Sequence, residues 1–336
     1  MKPTILELVD KLLVEQKQQL HWAEQHFKPI EDGHFSAIAI NDDECVLAPY
    51  PEFSTIVYRG QGKYYDPALP SLYRKSLSPV EIMVEHIRVA EFELLLQGHP
   101  AIADFNCERI MSLRLRIDYE ALAQHYHLKT ELLDFTSNPL VAAFFACCEY
   151  DENRHEYRPI VKARYEGVFY MLNIALDLSE EQEPFSSVVG LQPLSRPGDQ
   201  YAWGYRLTKG TSLNARRFVT TIHFAHDAKA SKKIFEYFDG GAKLFPYDPI
   251  AEKARAIAHA NKLSKLAFQL AKSRYGQDIN ESMLLEELAQ KGIEIVDTQL
   301  ITFTSVENTQ IEIHWKIRKS DLLSRIHWRR ALYPSN

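Results

Sequence analysis

Polar residues stand at several places in the sequence where a buried core would not accommodate them. Arg59 ends the β-branched stretch TIVYRGQ, and the segment DFTSNP places Asp134, Thr136 and Ser137 directly before an apolar helix. A helix N-terminus offers unpaired backbone N–H groups and a partial positive charge, so this segment could hold a phosphate or sugar oxygen. The alternative is that the segment only caps and turns the chain and that Arg59 is a surface ion-pair partner.

Composition limits the classes of protein to which the chain can belong. It has 336 residues, 46% of them hydrophobic and 25% charged, which is typical of a folded, soluble protein. No apolar stretch reaches the roughly 18 to 20 residues that a transmembrane helix needs, so we expect a cytoplasmic protein without membrane contact. The net charge of -6 argues against a broad nucleic-acid footprint, although ERIMSLRLR and NARRF could form local basic patches.

The four cysteines contain no CxxC pair, and Cys147 and Cys148 are adjacent in an apolar run. This pattern indicates neither a zinc site nor a disulfide framework, and it favours buried thiols.

Two early helices have recognisable ends. The apolar residues between positions 3 and 27 recur near a 3.6-residue period, which predicts an amphipathic helix docked on the rest of the protein. Ser78, Pro79 and Glu81 form the pattern of an N-cap, a first helical position and a capping box, and Gly98 ends that helix.

The middle of the chain predicts helices followed by strands. Asp118 caps the short helix DYEALAQHYH, which carries Gln124 and His125 near its end, while Asn138 and Pro139 begin the buried helix NPLVAAFFACCEY. Aromatic and β-branched residues then predict strands in GVFYMLNIAL, QYAWGYRLT and RFVTTIHFA.

The remaining sequence predicts more helices and one hairpin. DAKASKKIFEYFDGG and residues 250–275 are helical in pattern, and residues 282–291 form another helix. The stretch IEIVDTQLITFTSVENTQIEIHWKI predicts a hairpin, which a basic helix capped by Ser320 follows. We therefore expect an α+β fold with three units: an N-terminal helical segment (1–50) that braces the central domain (51–277), and a C-terminal helix-hairpin-helix unit (278–336).

Several stretches recur, in this order, in a known family: VYRGQ, LPSLYR, ALAQHYHLKTELLDFTSNPLVAAFFAC, GVFYMLN, LQPLSRPGDQYAWG and KLFPYDPIA. Over roughly residues 53–255 they resemble the bacterial FRG domain, which takes its name from a Phe/Tyr-Arg-Gly stretch. The chain departs from the family pattern where His127 replaces a glycine, Glu131 an arginine and Phe135 a tryptophan.

The motif order is also similar to that of ADP-ribosyltransferases of the Arg–Ser–Glu class. In those enzymes an arginine grips the phosphates of NAD, a hydroxyl turn supports the nicotinamide ribose, and an acid on a third strand holds the ribose 2′-OH. The resemblance implies that Arg59 anchors the phosphates and that Thr136 and Ser137 form the hydroxyl turn. It further implies a split mixed or antiparallel sheet around a cleft.

The same resemblance places Gln200 at the third motif position, at the start of the predicted strand QYAWGYRLT. A glutamine could hold the 2′-OH but could not act as a base, so a catalytic carboxylate must come from Asp134, Asp199 or Glu166. Alternatively, Gln200 only binds a loop.

Four further residues complete the predicted NAD site. Gly60 would allow close approach of the ligand, and Gln61 would be available to it. Arg196 would bind a second phosphate or lie on the surface. His125 would orient the carboxylate or stack on a ring, or serve only as a structural group.

Three functions follow from the resemblance. The first is an NAD-consuming ADP-ribosyltransferase, a bacterial toxin or phage-defence effector that modifies RNA, DNA or protein. The second is a non-catalytic module that binds NAD or ADP-ribose. The third is an interaction protein whose terminal helices dock a partner such as an antitoxin or chaperone.

Overall fold

A computed structural model describes residues 3–26, 35–49, 56–110, 112–151, 154–163, 165–174, 176, 186–246, 248–326 and 328–329. The helices in these ranges are α1 (Ile5–His26), α2 (Pro79–Gln97), α3 (Pro100–Phe105), α4 (Tyr119–His125), α5 (Pro139–Cys147), α6 (Ser195–Asp199), α7 (Ala228–Tyr237), α8 (Pro249–His259), α9 (Lys265–Tyr275), α10 (Glu281–Gln290) and α11 (Ser305–Arg325). The strands are β1 (Phe35–Ala39), β2 (Glu44–Pro49), β3 (Ile56–Gln61), β4 (Arg114–Leu115), β5 (Leu132–Thr136), β6 (Cys148–Asp151), β7 (Glu156–Pro159), β8 (Gly167–Asn173), β9 (Ser186–Val188), β10 (Ala202–Arg206), β11 (Val219–Phe224), β12 (Lys262–Ser264), β13 (Glu294–Val296) and β14 (Trp328–Arg329). This mixture confirms the predicted α+β class.

The main sheet has six strands in the order β11-β8-β3-β5-β10-β9. Each neighbouring pair is antiparallel. Strand β3 pairs with β8 along its whole length, but it pairs with β5 only where Tyr58 lies opposite Thr136. Beyond that position β3 and β5 are not paired in the ladder, so the sheet opens between its two central strands.

The two faces of β3 meet different parts of the protein. Tyr58 belongs to the apolar cluster that α5 and α1 form, whereas Val57 belongs to a cluster on the other face. Gly60 lies on the α5 side, where a Cβ atom would stand 1.9 Å from the main-chain oxygen of Ala142. Only glycine lets α5 approach the strand this closely.

Helix α1 docks as its periodicity predicts. Four of its apolar side chains are buried in the α5 cluster: Ile5, Leu8, Val9 and Leu12. Leu20 and Trp22 share the helical spacing but are exposed, so only the first half of the helix packs on the core. Residue 27, which the prediction included, lies outside the described residues.

The predicted helix ends are confirmed around the centre of the chain. Ser78 caps α2, and Glu81 completes the capping box. Asp118 caps α4 by accepting a hydrogen bond from Ala121 N, and Asn138 caps α5 with Pro139 at the first position. These ends are local features, since capping side chains reach only two or three residues along the chain.

A second sheet lies outside the predicted strands. Its order is β14-β1-β2-β4, with β1 antiparallel to β2 and parallel to β14. The N-terminal 50 residues therefore contain two strands besides the predicted helix.

The predicted C-terminal helix is wrong at positions 328–329, which pair with β1, and residues 330–336 lie outside the described residues.

The predicted C-terminal hairpin is wrong as well. Strand β13 pairs in parallel with β12, and the stretch from Ser305 onward belongs to α11, which Thr304 caps through a capping box with Glu307. Ser320 lies within α11 and does not cap a helix. The pattern Thr304-x-x-Glu307 was visible in the sequence, but the β-branched run before it favoured a strand.

The C-terminal helices share cores with the central part. Ile311, Trp315 and Leu322 of α11 join the cluster around α2 and α4, and Leu284 and Leu288 of α10 join the cluster between α2 and α9. The predicted helical run 250–275 is divided into α8 and α9 by the short strand β12. Across the described ranges, no helix is both long enough and apolar enough to cross a bilayer.

The cysteines are free thiols. Cys45, Cys147 and Cys148 are buried as predicted, and Cys107 is exposed. Burial raises the pKa of the Cys147 thiol to about 12, so this thiol is protonated and unreactive at neutral pH.

Candidate functional site

Arg59 occupies the opening between the two central strands. Its Nη1 donates a 2.7 Å hydrogen bond to the main-chain oxygen of Asp134, so the side chain bridges β3 to β5 beyond their single paired position. The Nε atom of Arg59 is buried and has no hydrogen-bond partner among the described residues. The guanidinium therefore carries an unused donor in a partly buried place, which suits a ligand oxygen.

The electrostatic surroundings of Arg59 contain charges of both signs. Burial lowers the pKa of its guanidinium to about 10, and the charge of Asp134 opposes that shift. Arg59 therefore remains a cation at neutral pH. Arg74 adds a second positive charge nearby, and Tyr170 lies opposite Arg59 on β8. Arg74 ends the quoted stretch LPSLYR, but the sequence alone did not place it beside Arg59.

Asp134 supplies the carboxylate of this site. It lies within β5, so the prediction that it stands in a turn is wrong; the strand continues through Thr136. Its side chain is 37% exposed, and Oδ1 lies 3.5 Å from His125 Nε2. Gln124 Nε2 donates to Oδ2 over 3.3 Å. Asp134 thus presents a partly solvated carboxylate whose orientation is fixed by α4.

His125 is held behind that carboxylate by Gln200. The Nδ1 atom of His125 lies 3.1 Å from Gln200 Oε1, and Gln200 Nε2 donates over 3.0 Å to the main-chain oxygen of Leu244. The second bond fixes the amide orientation, so Oε1 is the acceptor and Nδ1 carries the proton. Burial lowers the pKa of His125, although the Asp134 charge opposes the shift. The neutral ring therefore directs an unprotonated Nε2 toward Asp134.

The predicted position of Gln200 at the start of a strand is wrong, because β10 begins at Ala202. The residue follows α6 instead of opening the strand, and it is 4% exposed. Its amide oxygen and nitrogen both bind protein atoms, and its main-chain oxygen accepts a 2.7 Å bond from Thr136 Oγ1. Gln200 positions His125 and Thr136 and does not present its side chain to solvent.

Thr136 and Ser137 are held by hydrogen bonds to other parts of the protein. Thr136 is buried, and its Oγ1 also accepts from Asn138 N over 3.1 Å. Ser137 N donates to the main-chain oxygen of Tyr201, and Ser137 O accepts from Gln16 Nε2 of α1 over 3.0 Å. The segment therefore links β5 to the turn before β10 and to the N-terminal helix.

The neighbours of Arg59 on β3 have different surroundings. Packing of α5 against Gly60 explains the glycine without any ligand. Gln61, two residues beyond Arg59 and on the same face, has a buried Oε1 with no hydrogen-bond partner in the described part of the chain. Gln61 is thus available to a ligand that also binds Arg59.

Arg196 is buried, which excludes the predicted surface position. It is 6% exposed, and its guanidinium lies 5.1 Å from the ring centroid of Tyr126 and 4.7 Å from that of Phe245. Its Nη2 lies 2.7 Å from His127 Nε2, a bond in which the neutral imidazole accepts. Its cation belongs to an aromatic cluster, which the loop pattern of its sequence gave no means to predict.

His127 adopts a backbone conformation that favours glycine. Its φ is 67°, in the left-handed region where a Cβ atom is strained. This agrees with the glycine usual at this position in the family that the sequence resembles.

The other candidate carboxylates lie elsewhere. Asp199 ends α6, and Glu166 Oε2 lies 3.7 Å from His223 Nδ1 on β11. Within the described ranges, no cluster of three or more His, Cys, Asp or Glu side chains could hold a metal ion. Asp134 accepts a hydrogen bond from Arg59 through its main-chain oxygen.

Comparison with known families gives one match. Residues 54–155 match the family model of the FRG domain. This range is narrower than the resemblance seen in the sequence; it contains Arg59, His125 and Asp134 but excludes Arg196 and Gln200. No curated protein and no solved structure matches the chain.

Proposed function

We propose that the chain is an NAD-dependent ADP-ribosyltransferase whose substrate binds at the opening between β3 and β5. The observation that carries the proposal is the Arg59–Asp134 contact. The contact runs from Nη1 of Arg59, a cation with an unused buried donor, to the main-chain oxygen of Asp134, whose side chain is a partly exposed carboxylate. A dinucleotide needs both groups, one for its phosphates and one for the ribose at which nicotinamide leaves.

Arg59 fits the phosphate role by its chemistry. A guanidinium presents its N–H groups in a planar fork that matches two phosphate oxygens, and one of those groups already fixes the side chain to β5. Arg74 contributes to the positive potential. NAD would therefore be held as a co-substrate through its diphosphate, and Gln61 Oε1 would accept a ligand hydroxyl on the same face of the strand.

Asp134 fits the role of the acid that stabilises developing charge. Departure of nicotinamide leaves positive charge on the ribose, and a fixed carboxylate lowers the free energy of that state. Gln124 donates to one oxygen of Asp134, and His125 lies beside the other. The Gln124 bond holds the carboxylate in one orientation before the reaction begins.

The acceptor is proposed by class alone. The transferred group would go to a macromolecule, RNA, DNA or protein, and the family resemblance suggests a cytoplasmic toxin or phage-defence effector. An antitoxin or chaperone would then be the natural partner.

A second candidate is a module that binds NAD or ADP-ribose without turnover. The observation in its favour is that Thr136 and Gln200, at the second and third motif positions, use their side chains for internal hydrogen bonds. This candidate retains Arg59 as the anchor and assigns no chemistry to Asp134.

Release of nicotinamide from NAD by the purified chain, with and without a bacterial lysate as acceptor source, distinguishes the two. We expect release by the unmodified protein and a loss of about a hundredfold or more in Asp134→Asn, which keeps the side-chain shape. The matched control is Asp43→Asn, on the exposed loop before β2. NAD binding without release in either condition would exclude the transferase and leave the binding module.

A further inference from the structure

A cavity of about 90 Å³ lies among α3, α8 and α11, away from Arg59. One water needs roughly 10 to 15 Å³ of such space, so the cavity has room for about six to nine water-sized atoms, the size of one six-membered ring with its substituents. Gln310 and His314 of α11 are exposed and line the cavity, so it reaches the surface. Its inner wall includes Tyr126 and Asp248.

The apolar part of the wall holds one aromatic ring among aliphatic groups. Pro193, Pro249 and Trp315 line it together with Leu194, Ile250 and Ile311. The indole of Trp315 is fixed by a 2.6 Å hydrogen bond from Nε1 to Asp104 Oδ2. An apolar wall that contains a fixed aromatic ring favours an aromatic ligand.

The polar part of the wall is dominated by one carboxylate. Asp248 Oδ2 accepts from the Tyr126 hydroxyl over 3.0 Å, and Oδ1 accepts from Ala251 N over 3.0 Å. Ile250 N is a third donor to this carboxylate, which has about four lone-pair sites, so acceptor capacity remains for a further donor. A half-buried carboxylate with unused acceptor capacity favours a ligand that carries N–H groups.

Two more polar side chains line the same space. His99 is 5% exposed, and its buried Nδ1 has no hydrogen-bond partner among the described residues. Burial lowers the pKa of His99 to about 4, so its imidazole is neutral at pH 7. A guanidinium has five N–H groups, and Arg318 uses one of them to donate a hydrogen bond to Ser195. An unpaired buried ring nitrogen is costly unless a ligand completes it.

We propose that this cavity binds a single heteroaromatic ring that bears an exocyclic amino or amide nitrogen, as cytosine and nicotinamide do. The ring lies on Trp315, its exocyclic N–H donates to Asp248, and a ring nitrogen pairs with His99. The site is separate from Arg59 and does not depend on turnover of NAD.

Isothermal titration of the full chain with cytosine and nicotinamide tests this site, with pyridine as the ring without the amino group. We expect at least one of the two to bind with a Kd below about 1 mM and pyridine to bind at least tenfold more weakly. Ala101→Leu places three extra carbons in the cavity and should abolish binding. Ala103→Leu, on the exposed side of the same helix, should leave it unchanged.

A second variant decides the question if Ala101→Leu fails to fold. Asp248 caps α8, and asparagine caps helices equally well, so Asp248→Asn keeps the fold and removes the charge. We expect about tenfold weaker binding in this variant. Failure of both compounds to bind would overturn the proposal. So would equal affinity in Asp248→Asn, or binding that Arg59→Ala abolishes while Asp248→Asn does not affect it.

Discussion

The Nδ1 atom of His125 lies 3.1 Å from Oε1 of Gln200, and this contact decides which nitrogen faces the candidate carboxylate. Gln200 is fixed in turn by its bond to the main-chain oxygen of Leu244. The proton of the neutral ring is thus held on the side away from Asp134. Gln200, which lies outside the matched FRG range, therefore controls the protonation of His125, which lies inside it.

Replacement of Gln200 by glutamate tests this relationship. A carboxylate at this position favours the charged imidazolium, so Gln200→Glu should raise the pKa of His125 by about one unit or more. The measurement is an NMR titration of the His125 ring. Gln200→Leu is the control, because it removes the same hydrogen bond without adding charge; it should lower that pKa or leave it unchanged. Equal values in the two variants would contradict the assignment.

The close approach of α5 to β3 predicts a large effect of a single methyl group. In Gly60→Ala the new carbon would stand 1.9 Å from Ala142 O, so backbone must move. We expect the free energy of unfolding, measured with urea, to fall by about 3 kcal/mol or more. Gly98→Ala is the matched control, since its Cβ would lie 3.4 Å from Leu95 O and its φ is ordinary; it should change stability by under about 1 kcal/mol.

Burial of His99 predicts a dependence of stability on pH. Its pKa is lowered from 6.5 to about 4, so the unfolded chain binds the proton more tightly than the folded one. The contribution of neutral His99 is therefore complete above pH 6.5 and is lost as pH falls toward about 4. His99→Gln should make that decline shallower by up to about 1.4 kcal/mol per pH unit. The free energy of unfolding is measured by urea titration at a series of pH values. If it declined equally with pH in the two proteins, His99 would not be buried in its neutral form.

Local patterns predicted much of this fold. The caps of α2, α4 and α5 depend on residues within three positions of each other, so Ser78, Asp118 and Asn138 could be assigned from sequence. The error at α11 has a local cause too, because the capping box from Thr304 to Glu307 competed with a β-branched run. Tertiary packing decided between them, since Ile311 and Trp315 at helical spacing join the core.

The site was predictable only in part. Arg59 and Asp134 belong to one motif set, and the structure places them in direct contact. The burial of Gln200 and Arg196 was not predictable, because it depends on Leu244 and on the rings of Tyr126 and Phe245, which lie far away in sequence. A polar residue in a loop gives no local sign that distant side chains will cover it.

The most direct test of the central claim is the affinity of the full chain for NAD, measured by isothermal titration with Arg59→Ala beside the wild type. We expect saturable binding by the wild type and at least tenfold weaker binding by the variant, because loss of a charged hydrogen bond costs about 1.5 to 3 kcal/mol. Arg114→Ala, a half-buried strand arginine paired with Glu44 in the second sheet, should bind like the wild type. Equal affinity of wild type and Arg59→Ala for NAD, or no binding by the wild type, would contradict the account.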